Sequence, residues 1–243
     1  MKALLFAAGL GTRLKEHTQD KPKALVSLAG KPLLQHAIEY LKSNGISDIT
    51  INVFHYADQI ITFLEENKSF GVNIHISDER DQLLDTGGGL KKAGFLLKGN
   101  EPILIYNVDV ISNLDLNSLL NYHLQQKAMA TLAVRTRETS RNLMFDPNLQ
   151  LAGWKNFSTD ETRISKADSY ENARPLAFCG IHIIQPELLE LITEEGSFPI
   201  IDLYLRLAKD YPIKAFIDTS SIWLDLGKPE QLQAAESLFK LKD

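Results

Sequence analysis

Two glycines, an arginine and a run of lysines stand together near the N-terminus, and such a set can hold phosphate. In FAAGLGTRLKEHTQDKPKAL, residues 6–25, Gly9 and Gly11 follow an apolar run. Thr12, Arg13, Lys15, Lys21, Lys23 and Lys31 come next, opposed by Glu16 and Asp20. Glycines let the backbone approach an anion and turn N–H groups toward it. Arginine adds a two-pronged donor and lysine a compact charge. Pro22 restrains the chain just before Lys23 and so limits where that lysine points. A tight turn with a solvated charged loop is the bland alternative. The motif is not a dinucleotide fingerprint, because Leu14 stands where the third glycine belongs and no acidic residue closes the second strand at Phe54. It is not a P-loop either, since no GxxxxGK followed by Ser or Thr occurs.

Carboxylates appear at two distant points. In ILIYNVDV, Asn107 and Asp109 are two apart and hence share a strand face. A carboxylate at the end of a buried strand needs a cation or a full set of hydrogen bonds. Asp109 therefore reads either as a cation ligand or as a turn cap ahead of Ser112-Asn113. In SIWLDLGKPEQL, Asp225 precedes Gly227 and a helix start near Pro229, and it reads in the same two ways. Between these sites DTGGGL, residues 85–90, strings three glycines together, where one would suffice for a flexible turn into a helix. The six histidines, at 17, 36, 55, 75, 123 and 182, show no ligand spacing, so no zinc site is expected.

The elements that must position these groups follow from periodicity. Residues 2–7, 49–54, 72–76 and 102–111 read as strands. Helical patterns lie between them: PLLQHAIEYLKSNG, with Leu33, Leu34, Ala37, Ile38 and Leu41 on one face, then YADQIITFLEEN, GLKKAGFLLKG and DLNSLLNYHLQQK. Alternating strand and helix predicts a largely parallel sheet covered on both faces, with ligands at the strand ends. In the second half ATLAVRT, AFCGIHII and IKAFIDT read as strands, and PELLELITEEG, PIIDLYLRLAKDY and PEQLQAAESLFKL as helices. The polar stretch 137–176 reads as strands and loops of a substrate-side extension.

The chain has 243 residues, 44% of them hydrophobic, enough for a substantial core and expected here to form one domain. A net charge of -5 provides no general field for nucleic acid, so an anion site must be local. The single cysteine, Cys179, excludes an intrachain disulfide, and its setting reads as a buried strand. The apolar start runs into Gly-x-Gly-Thr-Arg rather than a cleavage site, and no stretch is apolar enough to span a membrane. A soluble, cytoplasmic protein is the expectation.

Taken together, GLGTR, KPKAL, LAGKPLL, YNVDV and WLDLGKPEQL resemble the signature of the sugar-1-phosphate nucleotidyltransferases, and the matching motifs span nearly the whole chain. Val108 stands where the family usually has glycine and Lys228 where it has threonine, and neither is a proposed ligand. The resemblance implies a three-layer Rossmann-like α/β fold of the nucleotide-diphospho-sugar transferase type, with a mostly parallel central sheet and a sugar-side extension. Residues 1–112 would form the nucleotide half and 113–243 the sugar-phosphate half. It implies a nucleotide site at Ala8, Gly9, Gly11, Thr12, Arg13, Lys23, Thr86, Gly87 and Gly88, the last three meeting base and ribose. It puts Asn107, Gly153 and Asp225 on the sugar phosphate, and magnesium on Asp109 and Asp225. Arg13, Lys23 and Asp109 would carry catalysis, with a nucleoside triphosphate and a sugar 1-phosphate as partners and neither nucleic acid nor membrane. Compact length, DTGGGL and the asparagine strand end are most similar to family members that uridylylate N-acetylmuramate 1-phosphate. Guanylyl transfer to mannose or heptose 1-phosphate and cytidylyl transfer to phosphocholine are the alternatives, and a non-catalytic nucleotide-sugar-binding regulator is the alternative of another class.

Overall fold

Short apolar runs become strands here because both of their faces are covered. The computed structural model describes residues 1–240, without the side chains of Lys15, Glu16 and Lys240. Leu241, expected as the last residue of the closing helix, lies outside the described residues, as does the Lys15 side chain of the basic cluster. In chain order the strands are β1 (Lys2–Phe6), β2 (Ser27–Leu28), β3 (Lys31–Pro32), β4 (Asp48–Val53), β5 (Asn73–Asp78), β6 (Ile103–Asn107), β7 (Val110–Ser112), β8 (Ala130–Arg135), β9 (Arg141–Phe145), β10 (Leu151–Asn156), β11 (Thr162–Ile164), β12 (Arg174–Ile184), β13 (Ile213–Ile217) and β14 (Trp223–Asp225). The helices are α1 (Leu33–Ser43), α2 (Ala57–Glu66), α3 (Asp85–Ala93), α4 (Leu116–Gln125), α5 (Ala167–Tyr170), α6 (Ile200–Leu207) and α7 (Pro229–Lys240).

The central sheet runs β5-β4-β1-β6-β12-β8-β13. It is parallel except where β12 enters antiparallel between β6 and β8. Strand alternation divides the core in two. Ala3, Leu5, Leu104 and Tyr106 face one side, with Leu34, Ile38 and Leu41 of α1, Ile60 of α2 and Leu119 of α4. Leu4, Phe6, Ile103 and Ile105 face the other, with Leu90 of α3 and Leu203 and Leu207 of α6. Each fully buried leucine or isoleucine among them contributes about 1.5–3 kcal/mol over its exposed state, so the three layers hold the sheet ends in fixed register. That register sets Phe6 beside Asn52 on one neighbour and Asn107 on the other, which aligns three strand ends in one row.

Three expectations change, and a fourth, the 137–176 extension, gains its pairing. The apolar run 102–111 is two strands, because the chain leaves the sheet at Val108-Asp109 and β7 pairs instead with β14. The Val108 N–H still reaches the Phe6 carbonyl at 3.2 Å, and the Tyr106 hydroxyl donates to the Val110 carbonyl at 2.8 Å, so the break is pinned on both sides. The α3 helix starts at Asp85 and takes in the whole glycine run. PELLEL, 186–191, is a short 3-10 turn that closes quickly into the extended Ile192. The 137–176 extension is the antiparallel ladder β9-β10-β11 on the edge of β12, with the short α5 beside it. Cys179 is buried on β12 as expected, and burial pushes its thiol up to about 12. No helix among the described residues is long and apolar enough to cross a membrane.

Two buried histidines give the fold a definite pH response. The His182 ring stacks on Phe178 at 5.1 Å and meets Tyr204 edge-on at 5.5 Å, with neither ring nitrogen bonded. His123 bonds Thr131 at 2.9 Å through one nitrogen only. Burial lowers His182 from 6.5 to about 3 and His123 from 6.5 to about 4. Both are therefore neutral when folded and take up a proton on unfolding below pH 6.5. Stability is complete above that pH and declines as pH falls toward 4, each ring contributing about 1.4 kcal/mol per pH unit. Urea unfolding at pH 7, 6 and 5 is expected to show this decline, with a shallower one in His182→Phe; equal slopes would contradict it.

Candidate active site

Where β1, β4 and β6 end, a cleft of about 430 Å³ opens. A ligand site at the carboxyl ends of parallel strands is the expected place in an open sheet. One wall is the glycine loop after β1. Gly11 adopts φ 64, and a Cβ there would lie 2.9 Å from Thr18 and 3.0 Å from the Lys23 side chain, so only glycine fits. Gly9 differs: nothing lies within 4 Å of its Cβ position, and it lines the open cleft with Ala8, Thr12 and Arg13. Arg13 is exposed there and makes no ion pair among the described residues.

The loop is braced from behind by two residues that sequence reasoning did not single out. Asn52, at the end of β4, accepts from the Ala7 and Ala8 N–H groups at 2.7 and 3.2 Å and donates to Glu79 Oε1 at 2.7 Å. Glu79 is fully buried, and its other oxygen accepts from the Leu84 N–H at 3.3 Å. Burial raises its carboxyl above the usual range, against the lowering effect of Asn52. Ala8, expected at the nucleotide site, commits its N–H to Asn52 and lines the cleft by its remaining atoms. The signal that could have revealed the pair was a polar residue beside each of two strand ends, Asn52 just before the end of β4 and Glu79 just after β5.

The opposite wall carries the charges. Pro22 is extended at ψ 152 and feeds the short turn Lys23–Leu25, which buries Lys23 to 8% exposure with its ammonium paired to Asp109 Oδ2. Asp225, remote in sequence, arrives through the β7–β14 ladder: it stands opposite Val110, and the Leu226 N–H donates to the Asp109 carbonyl at 2.9 Å. Asp225 Oδ1 accepts from the Gly227 N–H at 2.9 Å. A Cβ on Gly227 would lie 2.9 Å from that oxygen and 3.8 Å from Lys23 Nζ, so glycine here lets carboxylate and ammonium approach. Arg13, Lys23, Asp109 and Asn107 all line one cleft, with Asp225 alongside.

No group of three or more His, Cys, Asp or Glu among the described residues could hold a metal by itself. Two adjoining carboxylates do fit a magnesium ion that takes its remaining oxygens from phosphate and water, as this hard cation usually does. The Lys23 ammonium sits on one of those carboxylates.

The glycine run needs correcting. Gly87 and Gly88 lie in the first turn of α3, buried, and not in the cleft. A Cβ on Gly87 would lie 2.2 Å from the Phe198 ring, and one on Gly88 2.3 Å from the Gly196 carbonyl. Their N–H groups both point at the Phe198 carbonyl, at 2.9 and 3.4 Å. These glycines serve close packing of the helix against the segment before α6, and their N–H groups are not free for a base. From the run only Asp85 and Thr86 line the cleft, and Thr86 Oγ1 accepts from the Ile200 N–H at 2.9 Å. Gly153, expected on the sugar phosphate, sits at an irregularity of β10 under Tyr170, where a Cβ would lie 2.7 Å from that ring and from the Arg163 carbonyl. It lines neither this cleft nor its neighbour, and its requirement for glycine is one of packing.

Comparison with known proteins points the same way. Residues 2–145 match the family model described as Nucleotidyl transferase. The chain is 33% identical to N-acetylmuramate alpha-1-phosphate uridylyltransferase of Caulobacter vibrioides, over 97% of this chain and 95% of that one. It is 30% identical to the mannose-1-phosphate guanyltransferase of Gibberella zeae, over 98% of this chain but 64% of the relative, so it spans about two thirds of that longer protein. Among solved structures the fold is similar to HddC from Yersinia pseudotuberculosis complexed with GMP-PN, with TM-score 0.77, 23% identity, and 98% and 99% of the two chains covered. It is also similar to a putative glucose-1-phosphate thymidylyltransferase from Bacillus anthracis, with TM-score 0.79, 21% identity, and 98% and 94% covered.

Proposed function

Because the chain belongs to the nucleotidyl transferase family, we propose that it transfers a uridylyl group from UTP to N-acetylmuramate 1-phosphate, giving the nucleotide sugar and pyrophosphate. Its class is that of a nucleotidyltransferase acting on sugar 1-phosphates. The observation that carries the reading is the meeting of Arg13, Lys23 and Asp109, with Asp225 alongside, at one cleft over the ends of β1 and β6. Residues 1–112 supply most of that cleft, and 113–243 supply the acceptor side.

The acceptor is already a nucleophile, since a phosphate monoester has a second pKa near ~6 and is mostly dianionic at pH 7. No protein base is needed. One acceptor phosphate oxygen bonds to the α-phosphorus of the triphosphate, the bond from that phosphorus to the bridging oxygen breaks, and pyrophosphate leaves with the electron pair. The barrier is repulsion between two anions and charge building on the leaving group, so catalysis rests on alignment and neutralisation. The glycine loop, held by Asn52, lets the triphosphate lie close to the backbone. Arg13 neutralises the departing pyrophosphate. Lys23 exchanges Asp109 for oxygens on the α-phosphate, which frees the carboxylate. Asp109 and Asp225 are the residues that would hold magnesium, which when bound supplies further charge neutralisation on the phosphates.

Uridylyl transfer is preferred because the Caulobacter relative matches over nearly the full length of both chains. Guanylyl transfer to mannose 1-phosphate is the second reading, supported by the guanyltransferases at 30% identity. A non-catalytic regulator of nucleotide-sugar metabolism would have little reason to keep Arg13, Lys23, Asp109 and Asp225 together. Pyrophosphate release, measured with four nucleoside triphosphates crossed with N-acetylmuramate, mannose and heptose 1-phosphates and phosphocholine under magnesium, tests the reading. Release is expected with UTP and N-acetylmuramate 1-phosphate, and silence from every pair would sink the catalytic reading.

A further inference from the structure

A second cavity, of about 460 Å³, lies beside the first on the β9-β10-β11 extension. The two share a boundary: Ser197 lines the first and Pro199 and Ile201 the second, while the Ile200 N–H is fixed to Thr86 of the first. On β12, Phe178 lines the second cavity, two residues from Gly180, whose Cβ position is 2.8 Å from Asn107 Nδ2 of the first. An acceptor whose phosphate sits at Asn107 and Asp109 thus has its sugar directed toward this second space.

The second cavity carries an excess of positive charge. It is lined by three arginines and two carboxylates. Arg163 takes both carboxylates, Glu161 at 2.9 Å and Asp202 at 2.7 Å. Arg137 and Arg141 are left without an acidic partner among the described residues. Arg137 is held in place by the Trp223 face, 4.7 Å from its guanidinium, and by one long bond of 3.4 Å to the Phe178 carbonyl, while its buried Nε has no partner. Arg141, at the start of β9, is exposed at the cavity. Trp154 and Phe178 add apolar walls. Two guanidinium forks without acidic partners, set beside aromatic walls, suit a planar two-oxygen anion on a carbon skeleton, the shape of a carboxylate.

We infer that Arg137 and Arg141 form a subsite for a carboxylate borne by the sugar acceptor, so that an acidic sugar 1-phosphate is selected over its uncharged counterpart. This assignment rests on the nucleotidyl-transfer reading above and narrows its acceptor. N-Acetylmuramate 1-phosphate and N-acetylglucosamine 1-phosphate are the probes, since they differ only in the carboxylate-bearing ether. With UTP and magnesium, the ratio of their kcat/KM values is expected to favour the acid by about tenfold or more and to fall by about 10-fold to 100-fold in Arg141→Gln. Arg137→Gln is expected to act in the same direction, and Arg141→Glu to turn the preference toward the uncharged sugar. Arg141 is exposed, so its variants test the subsite even where Arg137→Gln disturbs Trp223. A wild-type ratio near one, or a ratio unmoved in both Arg141 variants while pyrophosphate is still released, overturns the subsite alone. No release with either acceptor and any nucleoside triphosphate overturns the subsite, and the nucleotidyl-transfer reading falls with it where mannose and heptose 1-phosphates and phosphocholine are silent too.

Discussion

Asp109→Ala is expected to lower kcat by at least about 10³-fold while the protein remains folded, as in other sites that lose a group stabilising transition-state charge. Asp109 sits just past the end of β6, where the chain breaks from the sheet, and it partners both the Lys23 ammonium and, through its carbonyl, the backbone that brings in Asp225. Only the side chain is lost in the variant, so the β7–β14 ladder and its Leu226 bond persist. The stability cost is about 1–3 kcal/mol, because the carboxylate is a quarter exposed and Asp225 remains near the orphaned ammonium. Steady-state rates and thermal unfolding on the same preparation separate the two effects. A folded variant that turns over like the wild type would mean that Asp109 is a turn residue and not part of the phosphate site.

Lys23→Met is expected to act in opposite directions on two readouts. Turnover falls by about 10³-fold, since a charge facing the reacting phosphates is removed while an apolar stem of similar length fills the buried slot. Divalent cation binding to the ligand-free protein tightens by about tenfold or more. With its ammonium gone, the Asp109 carboxylate loses its ion-pair partner while Asp225 stays alongside, and a cation offsets that unbalanced negative charge. Manganese titration followed by electron paramagnetic resonance reads the second effect without any turnover. Unchanged or weaker manganese binding would show that the Lys23–Asp109 pair does not compete with a metal.

How far the sequence led depended on whether the partners of a residue were local. The strands β1, β4 and β5 and the helix α1 were readable because apolar spacing, Pro32 and Gly45 are signals carried within a few residues. Arg13 and Lys23 were readable as a pair because Gly11 permits the left-handed turn before Arg13 and Pro22 restrains the chain before Lys23. Gly87 and Gly88 misled for the opposite reason. A glycine needed for close approach looks the same whether the approaching body is a base or the Phe198 ring, and Phe198 lies more than a hundred residues downstream. Asn52 and Glu79 were passed over because a polar residue at a strand end has no local signature of what it will bond. The break after Asn107 was hidden inside an apolar run, since it is made by pairing with β14, an element that only the fold brings near.

Stereochemistry at the transferred phosphorus tests the account most directly. Arg13, Lys23, Asp109 and Asp225 suit direct displacement between two substrates, with no group in the cleft required to accept the nucleotidyl unit covalently. With one diastereomer of the α-thio analogue of UTP and N-acetylmuramate 1-phosphate, single in-line attack predicts a nucleotide-sugar product of inverted configuration at the α-phosphorus. A product of retained configuration would require two displacements through an enzyme-bound intermediate and would contradict the mechanism.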